Sequence, residues 1–579
     1  MINETGNALS LLPLKVKYEP TKGLGLLTYS KSKWNKADDY TQGAVTASKS
    51  ESTMAFYVEP SDFDDSQAYN KVSGYGDYHV SVNYYDANGL SMSNTFVKGS
   101  PYTYFDFHDK KTISLNINDD QHAGVKASFF DEKGDILTEK GKITTDHIGI
   151  KTVTGEKINY YNVNVPVNTQ FEKTDTGLKI TIKDDDSYMS IGTMTDASQL
   201  NQFYLHGYAF VTDTNVAYSF DESTSKVTSS YNLTTEVKRD GFTDQSYQCM
   251  FPHQWDKYAS DQDLTKLNII YDSPRGNLKL YDGNLFKMQD TFYGMVPEFT
   301  VPTNGEYDEN ELLSYLDNLD QGTQGDLVGS DAYWQGKSLH PLGMGVLVAD
   351  QIGNTEYRDK FLGKMKTILT DWLTYSGEGD QAFFFYDKNW GTLYYKDSEF
   401  GANRDISDHH FTYGYFVFAC SVLATYDDEF YQDYKEMIDL IVRDYASPDK
   451  NDNMFCRYRS FDPYEGHSWA GGYADNDDGN NQEAGSESLF GWVGAYLWAT
   501  KREDKKMRDS AIFGFTTELN AVEHYWFNYY GNTNDGLDHS GWPEDWPSKI
   551  IGQSYGSSYF YGTFFGGYPT YIYGIHWCP

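Results

Sequence analysis

The sequence predicts a multidomain α+β protein, an N-terminal antiparallel β-sandwich followed by a helical C-terminal toroid. Its 579 residues exceed the roughly 250 to 300 at which a single core stops growing, so two or three domains are expected. Up to about residue 297 the text is short alternating runs broken by Gly, Asp, Asn and Lys. Past Gly325 the apolar spacing changes to the period of helices.

The first half is represented by His79-Val80-Ser81-Val82-Asn83-Tyr84-Tyr85, Leu178-Lys179-Ile180-Thr181-Ile182 and Leu267-Asn268-Ile269-Ile270-Tyr271. Alternation with turn residues between the runs reads as strands of a large sandwich. The Pro/Gly stretch Val296 to Gly305 is a connector, after which Leu312, Leu313, Leu316 and Leu319 share a helical stripe with Asp308 as its cap. Helices are then predicted over 333–352, 356–375, 409–426, 429–445, 482–500 and 503–526. Paired helices joined by long aromatic loops suggest an α/α toroid. A six-hairpin toroid needs twice that number, so the helical part is expected either to be cut short or to end in shorter helices. The expected division is a β-sandwich over 1–297, a linker over 298–330 and an α/α toroid over 331–579, trimmed at its C-terminus.

Composition narrows the partners. A formal charge of −37 argues against nucleic acid and anionic membranes, which are bound through Lys/Arg clusters. A neutral or cationic ligand suits such a surface better. Aromatics make up 17% of the chain, with 50 tyrosines and 12 tryptophans, and such flat amphipathic faces stack on sugars as readily as they fill cores. Cys249, Cys420, Cys456 and Cys578 are scattered, which suggests neither a zinc site nor a disulfide framework. No apolar run of about 18 residues is present to span a membrane. The first residues lack the basic start and apolar stretch of a signal peptide, although a chain trimmed of its export signal would read the same.

Candidate chemistry lies between Asp408 and Glu487. Glu483 and Glu487 are four apart beside a strongly apolar run, so on a helix they would share one face. Asp408, just before a helical run, stands where an N-cap would. The adjacent His409 and His410 face different directions and make a poor chelating pair. Ala474 to Gly479 imitates a calcium loop, yet Ala474 and Gly485 occupy the positions where acidic ligands are needed. Gly552-Gln553-Ser554-Tyr555-Gly556 matches a serine-hydrolase elbow, but no acid lies between Ser554 and His576. No metal and no cofactor are expected.

Four blocks then carry a resemblance: Phe385 to Leu393, Ser407 to Tyr415, Asp462 to Ala470, and Asp478 to Glu487. In this order they resemble glycoside hydrolase family 81, the endo-β-1,3-glucanases. Phe251-Pro252-His253-Gln254-Trp255 and Tyr333 to Leu339 extend the likeness over most of the chain. The resemblance implies a β-sandwich, a small α/β linker domain and an (α/α)6 barrel. It further implies a secreted or cell-surface monomer that cuts internal bonds of β-1,3-glucans with inversion and without a cofactor.

By the same resemblance Asp408 is the acid, Glu483 the base, and Glu487 its support or rival. Trp390, His410, Tyr413, Asp462, Tyr464, His467 and Trp469 are the candidate sugar contacts. Ala484-Gly485 replaces a usually serine-rich pair and Thr412 a common histidine, neither removing a carboxylate. Inversion needs one protonated carboxyl and one carboxylate about 6.5 to 9.5 Å apart, with room for water. An aspartate starts near a pKa of about 3.9 and must be raised to act as an acid around pH 6. Ile406, Phe411, Tyr413 and Asp405 favour that, whereas Arg404 or a protonated His409 oppose it. Two rivals are a non-catalytic β-glucan-binding surface protein, against which the intact carboxylates speak, and a polysaccharide lyase, which would need basic groups.

Overall fold

In the N-terminal region, strands that alternate in sequence also alternate in burial. His79–Asp86 turns Val82 and Tyr84 inward, as a half-buried pleat requires. The computed structural model describes residues 8–29, 54–109, 111–117, 124–137, 141–262, 264–295, 307–472, 478–531, 535–543, 546, 548–557 and 561–562. The connector from 296 to 305, the calcium-like residues 474–477, and His576 and Cys578 lie outside them.

Two large antiparallel sheets, one of eight strands and one of nine, form the first 194 residues of the fold. Leu14, Val16, Leu26, Phe56 and Val58 of one meet Val82, Tyr84, Phe96, Ile150 and Tyr161 of the other in one closed core. Phe56 meets Tyr161 edge-on with ring centroids 5.0 Å apart. The sheets end at Met194. The strands between Ala209 and Thr291 build two further three-stranded antiparallel sheets. These share their core with the helices: Tyr218 stacks on Phe513 at 4.6 Å, and the Tyr231 hydroxyl donates to the Pro463 carbonyl at 2.9 Å. The strand-rich stretch read as one sandwich is therefore divided between two cores. Its second part carries Tyr218, which stacks on a helix residue, and Tyr231, which bonds the loop 461–470 of the helical part.

The helical part begins with α1 (Glu309–Gln321), whose first N–H groups are accepted by Asp308 as the sequence predicts. Six longer helices follow as three consecutive pairs among the described residues: α2 (Ala332–Gln351) and α3 (Thr355–Trp372), α4 (His409–Tyr426) and α5 (Asp428–Ala446), α6 (Gly485–Lys501) and α7 (Lys505–Tyr525). Helices α4 and α6 are buried on nearly every side, whereas α5 is amphipathic and faces water on one flank.

Four of these six are capped by an Asp or Asn: Asp331, Asn354, Asp427 and Asp504 each accept a backbone N–H of the first turn. The other two, α4 and α6, begin at Asp408 and Ala484, both left-handed, with no side-chain cap. Those two helices also approach most closely. A Cβ on Gly491 would lie 2.8 Å from the His410 carbonyl oxygen, and one on Gly414 2.7 Å from the Gly491 Cα.

Candidate active site

The starts of α4 and α6 bring Asp408 and Glu487 to one place, and a short strand delivers Glu483 beside them. This corrects the helical reading of Glu483. It ends the strand Asn481–Glu483, which pairs with Gln553–Tyr555, and the left-handed Ala484 (φ 45°) turns the chain into α6. The apolar spacing of α6 reaches back to its first turn, but Ala484 breaks it there.

Both carboxylate segments are tied together by backbone. The Asp408 N–H donates to the Ala470 carbonyl at 2.8 Å, and the Ala470 N–H to the Asn481 carbonyl at 2.8 Å. Asp408 has φ 61°, a left-handed conformation that Asp tolerates better than most residues. In it the carboxyl caps nothing on its own helix, which excludes the N-cap reading.

The three acids differ in their surroundings. Burial pushes the Asp408 carboxyl well above the ordinary carboxylate range, and the charges of Glu483 and Glu487 push it the same way. Glu483 is raised by burial and by Glu487, with Lys337 opposing. Glu487 is anchored instead: Tyr415 donates to its Oε1 at 2.6 Å, Tyr333 at 3.2 Å, and the Lys337 ammonium lies 3.2 Å away. Among the described residues neither Asp408 nor Glu483 has a side-chain hydrogen bond or ion pair. Two half-buried carboxyl groups without protein partners among the described residues, beside a fixed third, can give and take a proton across a bound molecule.

Around this cluster the structure sorts the other predicted residues. Tyr413 is fully buried, its hydroxyl donating to the Leu393 carbonyl at 2.7 Å. Tyr464 is likewise buried and donates to the Cys249 carbonyl at 2.9 Å. His467 is buried between Ser468 and Glu465, and Asp462 pairs with Lys98 at 2.8 Å. Tyr464, His467 and Asp462, expected at the sugar, instead lie where the loop 461–470 meets the strand-rich part, and Tyr413 packs inside the helical part against Phe384 and the Leu393 carbonyl. Tyr413, Tyr464 and His467 satisfy backbone carbonyls, and Asp462 pairs with the Lys98 ammonium. His410 is enclosed beside Phe411 and Gln482, and burial, then His409, push its imidazole down to about 3, so it stays neutral. Trp469 is half-buried, with the Lys98 and Arg275 cations over its ring. Only Trp390, at the tip of the hairpin joining Phe384–Asp387 to Thr392–Tyr395, is widely exposed at 66%. The elbow serine Ser554 accepts a hydrogen bond from Arg275 inside the strand that supports Glu483, a structural duty.

Sequence reasoning missed Tyr333, Lys337 and Tyr415 as functional residues. Tyr333 and Lys337 sit four apart on α2, so one face presents both, and this spacing was the available signal. It also missed an aromatic mouth: the Tyr333 ring meets Trp334 and Phe400, each at 5.3 Å, and both of these are exposed.

Residues 314–579 are matched by the model of the glycosyl hydrolase family 81 C-terminal domain, which sets the class of the helical part. A glucan endo-1,3-beta-D-glucosidase of Acetivibrio thermocellus is 34% identical over 447 residues, covering 76% of this chain and 54% of that relative. One from Thermobifida fusca is 30% identical over 511 residues, covering 88% and 62%. The solved structure of glycoside hydrolase family 81 from Clostridium thermocellum superposes with a TM-score of 0.79 at 28% identity, over 96% of this chain and 71% of that one. The chain belongs to glycoside hydrolase family 81. It spans 54% and 62% of the length of the two curated relatives.

Proposed function

We propose that this protein hydrolyses internal β-1,3-glucosidic bonds of β-glucans such as laminarin, curdlan and fungal wall glucan, with inversion and without a cofactor. The observation that carries the reading is the asymmetry of the three carboxylates. Asp408, half-buried beside two other acids, holds a proton to give the leaving oxygen. Glu483, partnerless and opposed only by the Lys337 charge, activates the water. Glu487, held by Tyr415, Tyr333 and Lys337, fixes the geometry and keeps negative charge next to Asp408. The names of the relatives support the substrate, including a primary septum glucan endo-1,3-beta-D-glucosidase of Schizosaccharomyces pombe. We assign Trp334 and Phe400, exposed against Tyr333, and Trp390, exposed on its hairpin, as sugar-stacking faces. The domain reading of a sandwich, a linker and an (α/α)6 barrel, acting as a secreted monomer, belongs to the same proposal.

Proton NMR of laminarin in the first minutes of digestion tests it, alongside Asp408→Asn, Glu483→Gln and Glu487→Gln. The expected first product is the α-anomer, abolished by Asp408→Asn and Glu483→Gln and weakened by Glu487→Gln. A β-anomer appearing first would overturn inversion. Glucan binding without new reducing ends would replace the enzyme by a binding protein.

A further inference from the structure

Away from the carboxylates, the short helix near residue 256 meets two later segments, near 524 and 539, at one small cluster. Asp256 closes the short helix Pro252–Trp255, His524 lies near the end of α7, and His539 sits in the loop 535–543. Both imidazoles are buried while Asp256 reaches solvent. Asp256 Oδ2 lies 2.8 Å from His524 Nε2 and 3.1 Å from His539 Nδ1, and the three potential ligand atoms are all within 4.8 Å of one another.

The hydrogen-bond inventory of this cluster does not close with neutral histidines and ionised carboxylates. His524 Nδ1 is 2.8 Å from the Asn520 carbonyl oxygen, which only accepts, so Nδ1 carries the hydrogen. A neutral ring then aims the lone pair of Nε2 at a carboxylate oxygen, acceptor against acceptor. His539 repeats the conflict, with Nδ1 at Asp256 and Nε2 3.0 Å from Asp535 Oδ2. Extra protons, on the imidazoles or on a carboxyl, or a metal ion must therefore lie between the nitrogens and Asp256. The setting is acidic: Asp256, Asp290 and Glu523 all act on the adjacent Tyr530, and Asp256 and Asp535 on Lys279, the cation over the Trp255 ring.

We propose that Asp256, His524 and His539 bind a zinc-type divalent cation, with water completing its shell. Two imidazole nitrogens and one carboxylate oxygen are the donor types zinc and its transition-metal neighbours prefer. The Nδ1–H of His524 on a backbone carbonyl and the Asp535 carboxylate at His539 are the outer partners that orient metal-binding imidazoles. The exposed Asp256 gives the ion an entry path. Bound there, the cation staples the loop 535–543, already joined to Asn277 by backbone at 2.8 Å, to the helix end and to the short helix. The site is structural in this proposal and takes no part in glycoside cleavage.

The test uses the untagged full chain, loaded with zinc and dialysed, with metal content measured by plasma mass spectrometry. Melting is followed with zinc and with chelator, and cobalt loading adds a visible spectrum. One zinc per chain is expected, a melting temperature at least about 2 °C higher with zinc than with chelator, and a tetrahedral cobalt band. Asp256→Asn and His539→Gln, checked for folding by circular dichroism, should each bind zinc at least about tenfold more weakly. The proposal fails if the folded wild type holds no more zinc than the Asp256→Asn/His539→Gln double variant and melts alike under both conditions, since protons would then fill the gap. It fails equally if that double variant keeps its zinc in full, which would place the ion elsewhere.

Discussion

At the scale of single residues, the decisive property is where the charge of Asp408 is tolerated. Its folded-state pKa lies above its unfolded value of about 3.9. The stability linked to the protonated form is thus fully present below about pH 3.9 and lost as pH rises through the folded value. Asp408→Asn removes that loss. The variant should melt higher than wild type at pH 7, by an amount that shrinks toward pH 4, while kcat on laminarin falls by at least about 10²-fold. Calorimetry across that pH range checks the first part and reducing-end assays the second. Lys337 offers an independent test, because its charge lowers the Glu483 pKa. With Lys337→Met, Glu483 protonates at higher pH, so with Glu483 as the proposed base the acidic limb of the kcat/KM profile should move up in pH while the basic limb stays.

At the scale of elements, the site is made by two helix starts that give up their caps. Every other long helix here begins with an Asp or Asn accepting a first-turn N–H, but α4 and α6 begin at left-handed residues with the carboxylates beside them. Glycines let the two helices come close enough for those starts to meet. In Gly491→Ala the new methyl would press on the His410 carbonyl, which is backbone and cannot swing aside. Destabilisation of about 1 to 3 kcal/mol is expected, read from urea unfolding, with a loss of kcat larger than the stability change explains, as Asp408 moves from Glu483. A wild-type kcat in a destabilised Gly491→Ala would show that the helix contact does not set the catalytic distance.

For the molecule as a whole, a buried ionic cluster joins the sheets to the helices. Lys98, following a strand of the nine-stranded sheet, pairs with Asp462 at 2.8 Å and Glu465 at 2.9 Å; Arg275, from a three-stranded sheet, meets Glu465 at 3.0 Å. Burial alone would raise Glu465, but Lys98 and Arg275 outweigh it and hold the carboxyl at about 2. A depressed folded pKa gives stability that is present above the unfolded value of about 4.3 and lost as pH falls through about 2. The melting temperature should therefore drop steeply over that window, and less steeply in Glu465→Gln. Arg275→Met leaves a buried carboxylate with one partner fewer and should cost about 3 to 5 kcal/mol at neutral pH. The loop 461–470 thus serves as a spacer. Its Ala470 positions both Asp408 and Asn481, while the residues read as sugar contacts hold the domains together.

What the sequence by itself determined were the features set by local pattern. The change of period past Gly325 announced the helices, their limits fell within a few residues of the observed ones, Asp308 was legible as a cap, and four blocks pointed to the family. Glu483 was misplaced for the same reason: an apolar helical rhythm continues through Ala484, and only a left-handed φ, invisible in the text, stops it. The tertiary structure alone decided the chemistry of the acids. Tyr415 meets Glu487 across 72 residues, and Asp256 meets His524 across 268. A residue type states which hydrogen bonds and charges it can offer. Burial and partners, which come from segments far along the chain, determine whether a carboxyl keeps its proton, whether a tyrosine faces sugar or core, and where a cation is needed.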